Sequence, residues 1–198
     1  MALSTIGTNS LADNAVVSSK ITDATIATGD IANSAVTLAK TSGVAITEAD
    51  QWRVTTNFAN SSNGSSEVVA SNWERADTEF DKIGTGLSES SGIFSFPSTG
   101  IYVISAIASY YPDAANSGVQ LQIRFSTGGS YDTRAIALSG AAAADRPEAV
   151  SCQTYIDVVN NSTYKFAIYT AGTTASNFWR CATDRQQFGF TCIRLGDT

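Results

Sequence analysis

The stretch GIFSFPSTGIYVISAIASYYP, residues 92–112, decides the fold. Successive side chains of a β-strand point to opposite faces. From Gly100 onward, one face of this strand carries Tyr102, Ile104, Ala106 and Ala108, and the other carries Ile101, Val103 and Ile107. A strand that is apolar on both faces needs apolar cover on both. The stretch therefore predicts a sandwich strand with the core on one side and a second copy of the chain on the other.

Strand patterns continue on both sides of this stretch. The last one, within residues 186–195, again has two apolar faces, with Phe188, Phe190 and Cys192 opposed by Ile193 and Leu195. Tyr102, Ile104, Phe188 and Phe190 therefore mark the strands expected to form the core or the contact between copies. Further strands are expected within residues 51–58, 67–73, 118–129, 131–140, 148–158 and 162–172. Short strands at near-regular spacing, with no helical stretch between them, predict an all-β sandwich or barrel.

Composition excludes several function classes. The net charge is −6, and only 15% of the residues are charged, against about 25% in an average soluble domain. No cluster of Lys and Arg is present, so we expect no nucleic-acid partner. No run approaches the roughly 20 apolar residues that span a bilayer, so we expect no membrane insertion. The first ten residues also lack the features of an export signal.

Catalytic chemistry has little support in the residue types available. The chain has no His, which excludes His-containing zinc sites, the Ser-His-Asp triad and the Cys-His dyad. Cys152, Cys181 and Cys192 are an odd number without a CxxC pair. We interpret them as small buried apolar residues, and a disulfide between Cys181 and Cys192 stays possible. The sequence therefore predicts that the protein is not an enzyme and has no cofactor and no metal.

The N-terminal region contains a ten-residue repeat, LADNAVVSSK, ITDATIATGD, IANSAVTLAK, over residues 11–40. Large apolar residues recur at every fifth position, namely Leu11, Val16, Ile21, Ile26, Ile31 and Val36. This period matches neither a helix nor a flat strand. We interpret the repeat as a shaft in which three parallel copies bring these residues to a common axis, since one chain could not bury them. A single-chain pentapeptide coil and a disordered linker are the alternatives.

The head of the chain resembles a known family. The stretch from Gly92 resembles the G-x-F-x-x-P-x-x-G-x-Y-x-F motif of the tumour-necrosis-factor-like jelly roll, in particular the complement-type globular heads, and matches it as far as Tyr102. WERADTEFDKIGTG (73–86) resembles the segment before it, and FGFTCIRL (188–195) is similar to the closing strand. The chain departs from the motif at Ile104 and in the loop of residues 139–148. The resemblance implies a ten-stranded, trimeric jelly-roll sandwich over residues 48–198, with the shaft and an anchor over residues 1–47.

A trimeric shaft followed by a trimeric jelly roll resembles a bacteriophage fibre or spike. This resemblance implies a virion surface protein, assembled in the host cytoplasm, whose head is exposed for attachment to the host. The implied partners are two further copies of the chain, other virion proteins at the N-terminal region, and a host cell-surface receptor or glycan. A capsid decoration or head-fibre protein with a mainly stabilising role is one alternative. A secreted complement-like recognition module is another.

One loop is the candidate attachment surface. Residues 173–186 place Phe178 and Trp179 beside Arg180, among small polar residues. Aromatic residues next to Arg are common anchors in protein interfaces, and an aromatic face can stack on a sugar ring. The alternative interpretation is that Phe178 and Trp179 close the open end of the sandwich core.

Overall fold

A computed structural model describes the chain at residues 12–13, 15–22, 25–33, 35–36, 46–61, 65–77, 80–112, 118–140, 144–173 and 177–198. The chain divides into two units, Met1–Ser42 and Gly43–Thr198. Leu11, the first of the predicted shaft residues, lies outside the described residues. The boundary that we predicted between residues 47 and 48 stays a prediction.

The second unit consists of antiparallel β-sheets. Within the described residues its strands are β1 (Ala49–Val54), β2 (Glu67–Val68), β3 (Trp73–Arg75), β4 (Lys82–Ile83), β5 (Ser88–Ser90), β6 (Ile93–Ser95), β7 (Gly100–Tyr111), β8 (Gly118–Ser126), β9 (Asp132–Gly140), β10 (Glu148–Val158), β11 (Lys165–Ala171), β12 (Phe178–Arg180) and β13 (Phe188–Gly196). The described strands exceed the ten that the resemblance implied because several are pieces of two or three residues. The all-β class is confirmed.

Two sheets face each other across one core. Sheet I has the strand order β10-β7-β13-β1-β3, with β12 beside β7 and β4 beside β1. Sheet II has the order β5-β6-β11-β8-β9, with β2 beside β11. The two strands with two apolar faces, β7 and β13, are neighbours at the centre of sheet I, with Val103 opposite Ile193. In the described part of the chain, no helix is long and apolar enough to cross a membrane.

The segment 67–73, which we predicted as one strand, is instead two strands in different sheets. Glu67–Val68 pairs with β11 in sheet II, whereas Trp73–Arg75 pairs with β1 in sheet I. The chain crosses between the layers at Asn72, which has a φ of 62°, a left-handed conformation that Asn tolerates better than most residues. The apolar pattern alone does not reveal this crossing, because both pieces contribute to the same core.

Aromatic rings from both sheets meet in the middle of the core. Phe94 of β6 is fully buried, and its ring centroid lies 4.6 Å from that of Phe190 and 5.2 Å from that of Phe166. Trp73 and Trp52 of sheet I contact the same ring edge-on, at 5.1 and 5.4 Å. Such aromatic pairs stabilise by about 0.5–1.5 kcal/mol each beyond the area that they bury. Phe94 therefore joins the two layers.

Two positions within residues 92–112 require glycine, because neighbouring parts of the chain pass too close to leave room for a Cβ atom. Gly92 has a φ of 79° and Gly100 a φ of 139°, both in the region that favours glycine. A Cβ at Gly92 would clash with the carbonyl oxygen of Val69, and one at Gly100 with the side chain of Arg194. Gly92 therefore lets the chain pass close to Val69 just before β6, and Gly100 lets β7 begin beside β13.

A buried ion pair fixes the edge of sheet I. Asp50 is 2% exposed and accepts hydrogen bonds from Arg75 Nε at 2.9 Å and from the backbone N–H of Leu87 at 2.8 Å. Arg75 also donates to the Leu87 carbonyl at 2.6 Å, and its guanidinium lies 4.6 Å from the ring of Trp52. The carboxylate thus joins β1, β3 and the segment before β5. Removing one partner of a buried pair leaves the other charge uncompensated.

Repeated turns in the first unit account for the five-residue period of its sequence. Backbone N–H groups donate to the carbonyl three residues earlier in five successive turns, from Ala15 to Ala12, Lys20 to Val17, Thr25 to Thr22, Asp30 to Ala27 and Ala35 to Ala32. Two of these turns are short 3₁₀ helices, Ser18–Lys20 and Thr28–Asp30. Each unit of five is therefore a four-residue turn followed by one further residue, and that residue is the apolar one.

Those apolar residues are exposed. Val16, Ile21, Ile26, Ile31 and Val36 have exposed fractions of 54, 41, 54, 43 and 52%. A single-chain pentapeptide coil would enclose them, so that alternative is wrong for the described residues of this repeat. Full burial of such a side chain is favourable by about 1.5–3 kcal/mol. Contact between copies that buries these residues would therefore be stabilising.

We expect Asp50→Asn to lower the free energy of unfolding by about 3 kcal/mol, because the Arg75 guanidinium loses its charged partner. Chemical denaturation followed by tryptophan fluorescence measures this change. Asp81→Asn, at an exposed position, is the matched control and should shift stability by less than about 0.5 kcal/mol. Equal effects of the two substitutions would contradict the role given to Asp50.

Candidate interaction surfaces

The outer face of sheet I carries an apolar patch. Register places Tyr155, Val103 and Ile193 side by side on β10, β7 and β13. Tyr155 is 65% exposed, and Ile101, which lies on the same face of β7, is 37% exposed. Leu195, at the bulge in β13 beside Ile101, adds a side chain that is 52% exposed. We call Ile101, Val103, Tyr155, Ile193 and Leu195 the sheet I patch.

A polar row borders the sheet I patch. The next row across the sheet consists of Gln153, Ser105, Thr191 and Gln51. Gln153 donates to Ser105 Oγ at 2.6 Å, and Gln51 donates to Thr191 Oγ1 at 3.3 Å. An apolar region beside polar groups that are already paired matches the anatomy of protein interfaces, where an apolar centre is bordered by a polar rim.

The residues chosen from sequence to mark these strands have core positions. Tyr102, Ile104, Phe188 and Phe190 are each at most 1% exposed. They belong to the sandwich core, so of the two roles left open for them, the structure gives core packing rather than contact between copies. The residues opposite them on β7 and β13 form the outer face.

A residue that anchors a receptor must expose its ring, and Trp179 does not. It is fully buried, with Tyr110 and Phe188 edge-on at 5.8 and 5.6 Å. Its Nε1–H donates to Asn60 Oδ1 at 3.3 Å, and Asn60 donates in turn to the Thr170 carbonyl at 2.9 Å. The alternative that we gave, closure of the open end of the core, describes this position.

Phe178 and Arg180 flank Trp179 and are half-buried. Phe178 stacks on Tyr111 with centroids 5.7 Å apart. Both residues lie at the end of the sandwich where β1, β7 and β11 finish, opposite the end where Ala49 begins β1. We call it the far end. Three cavities open there. One of about 210 Å³ is lined in part by Asn60 and Thr170, and one of about 290 Å³ by Phe58 and Phe178. The third, of about 230 Å³, is lined in part by Val119 and Leu138.

The three cysteines are free thiols. Burial raises the pKa of Cys152 to about 11 and that of Cys181 to about 12, and burial raises the pKa of Cys192 well above its usual value. Protonated thiols are poor nucleophiles and poor metal ligands. Among the described residues, no group of three or more Cys, Asp or Glu side chains is arranged to hold a metal ion.

The fold is similar to that of murine APRIL. A crystal structure of that protein at pH 8.0 has a TM-score of 0.55 and 12% sequence identity, covering 75% of this chain and 99% of that one. The structure at pH 5.0 has the same TM-score, with 11% identity over 75% and 99%. Eiger TNF from S. frugiperda has a TM-score of 0.48 and 13% identity, covering 76% and 93%. No protein-family model and no curated protein matches the chain.

At this identity the likeness to murine APRIL shows the fold alone. Together with the two antiparallel sheets, it confirms the tumour-necrosis-factor-like jelly roll that the stretch from Gly92 to Tyr102 suggested. The trimer, the shaft and the virion location stay predictions.

Tyr155 is the surface residue that sequence reasoning missed. A strand was predicted within residues 148–158, but no face was assigned to it; the structure turns Val150, Ile156 and Val158 inward. A tyrosine between Thr154 and Ile156 does not break the alternation and gives no signal by itself. The signal appears only once β10 is placed beside β7, because Tyr155 then extends the row of Val103 and Ile193.

We expect Trp179→Ala to lower the free energy of unfolding by about 4 kcal/mol, since the substitution removes a fully buried ring. Arg180→Ala, one residue away and half-buried, should change stability by less than about 1 kcal/mol. Thermal and urea unfolding of both variants distinguish the two positions. A Trp179→Ala protein as stable as the parent would show that the ring is not buried in the core, and Trp179 would again be a candidate for receptor contact.

Proposed function

We propose that the chain is a trimeric virion fibre or spike protein, whose jelly-roll head is available for attachment to a host cell surface. The observation that carries the proposal is the sheet I patch. It is an apolar surface on β10, β7 and β13, bordered by polar groups that are already paired. A second copy of the chain supplies the apolar cover that this surface lacks.

The N-terminal repeat supports the same stoichiometry. Its exposed apolar residues follow one another at a fixed interval of five, each directly after a turn. Copies arranged in parallel and in register bring equivalent residues to the same level of a common axis. Three chains then bury Ile21, Ile26 and Ile31 against their counterparts, and the polar turn residues remain in water. A shaft of this kind joined to a trimeric head is the organisation of a fibre.

Attachment fits the far end of the head. The chain enters the head at the end where β1 begins, and the loops after β1, β7 and β11 start at the opposite end. Recognition residues tend to lie in loops on a rigid scaffold, and the open cavities beside Phe58, Phe178 and Leu138 lie among these loops. Trp179 supports the scaffold from within rather than offering a contact itself.

Sedimentation equilibrium of the full chain should give three times its mass of 20.7 kDa. Val103→Asp should reduce the mass, because carboxylates would be buried in an apolar contact. Leu138→Asp is the matched control, because Leu138 is 68% exposed but lies on sheet II, and this variant should keep the parent mass. A parent protein that is monomeric at micromolar concentration would contradict the proposal.

The shaft is tested separately from the head. We expect Ile26→Asp to make the N-terminal half sensitive to protease, since like charges would meet on the axis. The head should keep its melting temperature, because it has its own core. Thr28→Asp, which places the same charge within a turn, is the control and should retain resistance. If Ile26→Asp is as resistant as the parent, Ile26 does not lie on an axis.

Gold-labelled antibody against the head tests the virion assignment on intact particles. Label at a tail or spike supports the proposal, and label spread over the capsid shell supports the decoration alternative. A particle preparation without label, from cells that make the protein, would contradict both.

A further inference from the structure

The outer face of sheet II differs in charge from the protein as a whole. The chain has a net charge of −6 with 18 acidic residues. On the central strands β8 and β11, however, the outward side carries Gln120, Gln122, Arg124, Ser126, Lys165, Ala167, Tyr169 and Ala171. None of them is acidic and two are cationic. A cationic face on an acidic protein attracts anions and not a second copy of the same acidic chain.

Gln122 holds one of these cations in place. Although it points outward, Gln122 is only 3% exposed. Its amide nitrogen donates to Gln120 Oε1 at 2.8 Å and to Ser66 Oγ at 2.9 Å. Its amide oxygen accepts from Arg124 Nε at 2.8 Å. The Arg124 side chain is therefore fixed through Nε, which leaves its two terminal nitrogens for another group.

Tyrosine rings complete the arrangement. The Arg124 guanidinium lies 4.2 Å from the ring centroid of Tyr169, a stacking geometry that orients the guanidinium plane. The ring of Tyr131 lies next to Tyr169, with centroids 6.4 Å apart and a tilt of 41°. Within the described residues, the terminal nitrogens of Arg124 and the two tyrosine hydroxyls have no hydrogen-bond partner. Both rings are half-buried, so each still presents surface to solvent.

We propose that Arg124, Tyr131 and Tyr169 form a binding site for a carboxylated saccharide such as a uronic acid unit. A guanidinium held through Nε presents a planar pair of donors that matches a carboxylate in bidentate fashion. The tyrosines add flat apolar faces with hydroxyl groups at their tips, which suit the C–H face and the hydroxyls of a sugar ring. Within the described residues the amide nitrogen of Gln120 has no hydrogen-bond partner, so it adds a further donor on the same face.

Asp132 does not neutralise this site. It follows Tyr131 in the chain, but its register partner is Phe125, whose ring belongs to the core. The partner of Arg124 in the register is Thr133. The site also lies on the sheet opposite to the sheet I patch, so it stays accessible when copies associate through sheet I. The inference thus goes beyond the proposed function and does not depend on trimer formation.

Isothermal titration of the full chain with tetragalacturonate tests the site. Its methyl ester, which has the same rings without the charges, is the matched neutral probe. We expect the acid to bind and the ester to bind at least about tenfold more weakly. Arg124→Gln should weaken binding of the acid by a similar factor. Arg134→Gln is the control, because it makes the same charge change on the neighbouring strand and should leave binding unchanged.

Tyr131→Ala provides a second variant in case Arg124→Gln disturbs the sheet. We expect several-fold weaker binding for Tyr131→Ala and a smaller loss for Tyr131→Phe, which keeps the ring face and removes only the hydroxyl. Absence of binding by the parent protein, equal binding of acid and ester, or parent affinity in a folded Arg124→Gln protein would each overturn the proposal. Equal binding of poly-glutamate would overturn the saccharide assignment. Sedimentation of the same samples reports trimer formation independently.

Discussion

The packing of Phe94 between the two sheets is the contact on which the rest of the head depends. Its ring contacts Phe166 on its own sheet and Trp52, Trp73 and Phe190 on the other. The contact requires β6 to approach the chain closely at Val69, which only glycine at position 92 allows. Once the layers are joined here, the alternation of β7 fixes which side chains enter the core and which remain outside.

The same alternation creates the main interaction surface. Burying Tyr102 and Ile104 inside the sandwich forces Ile101 and Val103 outward, where Tyr155 and Ile193 continue the apolar row. The N-terminal unit has an equivalent property from a different cause, because each four-residue turn is followed by an exposed apolar residue. Both units therefore have apolar surface that one chain leaves in water. Association of copies removes this surface from water in both units, which is why we place self-association at the centre of the proposed function.

Much of the fold could be predicted from the sequence, because the alternation in β8 and the two apolar faces of β7 and β13 identify these strands and require cover on both sides of β7 and β13. The crossing at Asn72 could not, since Val69 before it and Trp73 after it both pack in the same core, and only the sheet partners distinguish the two short strands. Trp179 was assigned to a loop because its neighbours are small and polar. Its burial depends on Asn60, which is far away in the sequence and supplies the hydrogen-bond acceptor for the indole. The Arg124 site was equally hidden, because it combines β8, β11 and the residue before β9.

The central claim is that the outer face of sheet I is covered by another copy of the chain, whereas the outer face of sheet II remains in water. Hydroxyl-radical footprinting with mass spectrometry compares Tyr155 and Leu195 on the first face with Ile136 and Leu138 on the second. All four side chains are exposed in the single chain. We predict that Tyr155 and Leu195 are protected from oxidation in the native protein, and that Ile136 and Leu138 are oxidised at the rate their exposure allows. Oxidation of Tyr155 and Leu195 without protection, at micromolar protein concentration, would contradict the account.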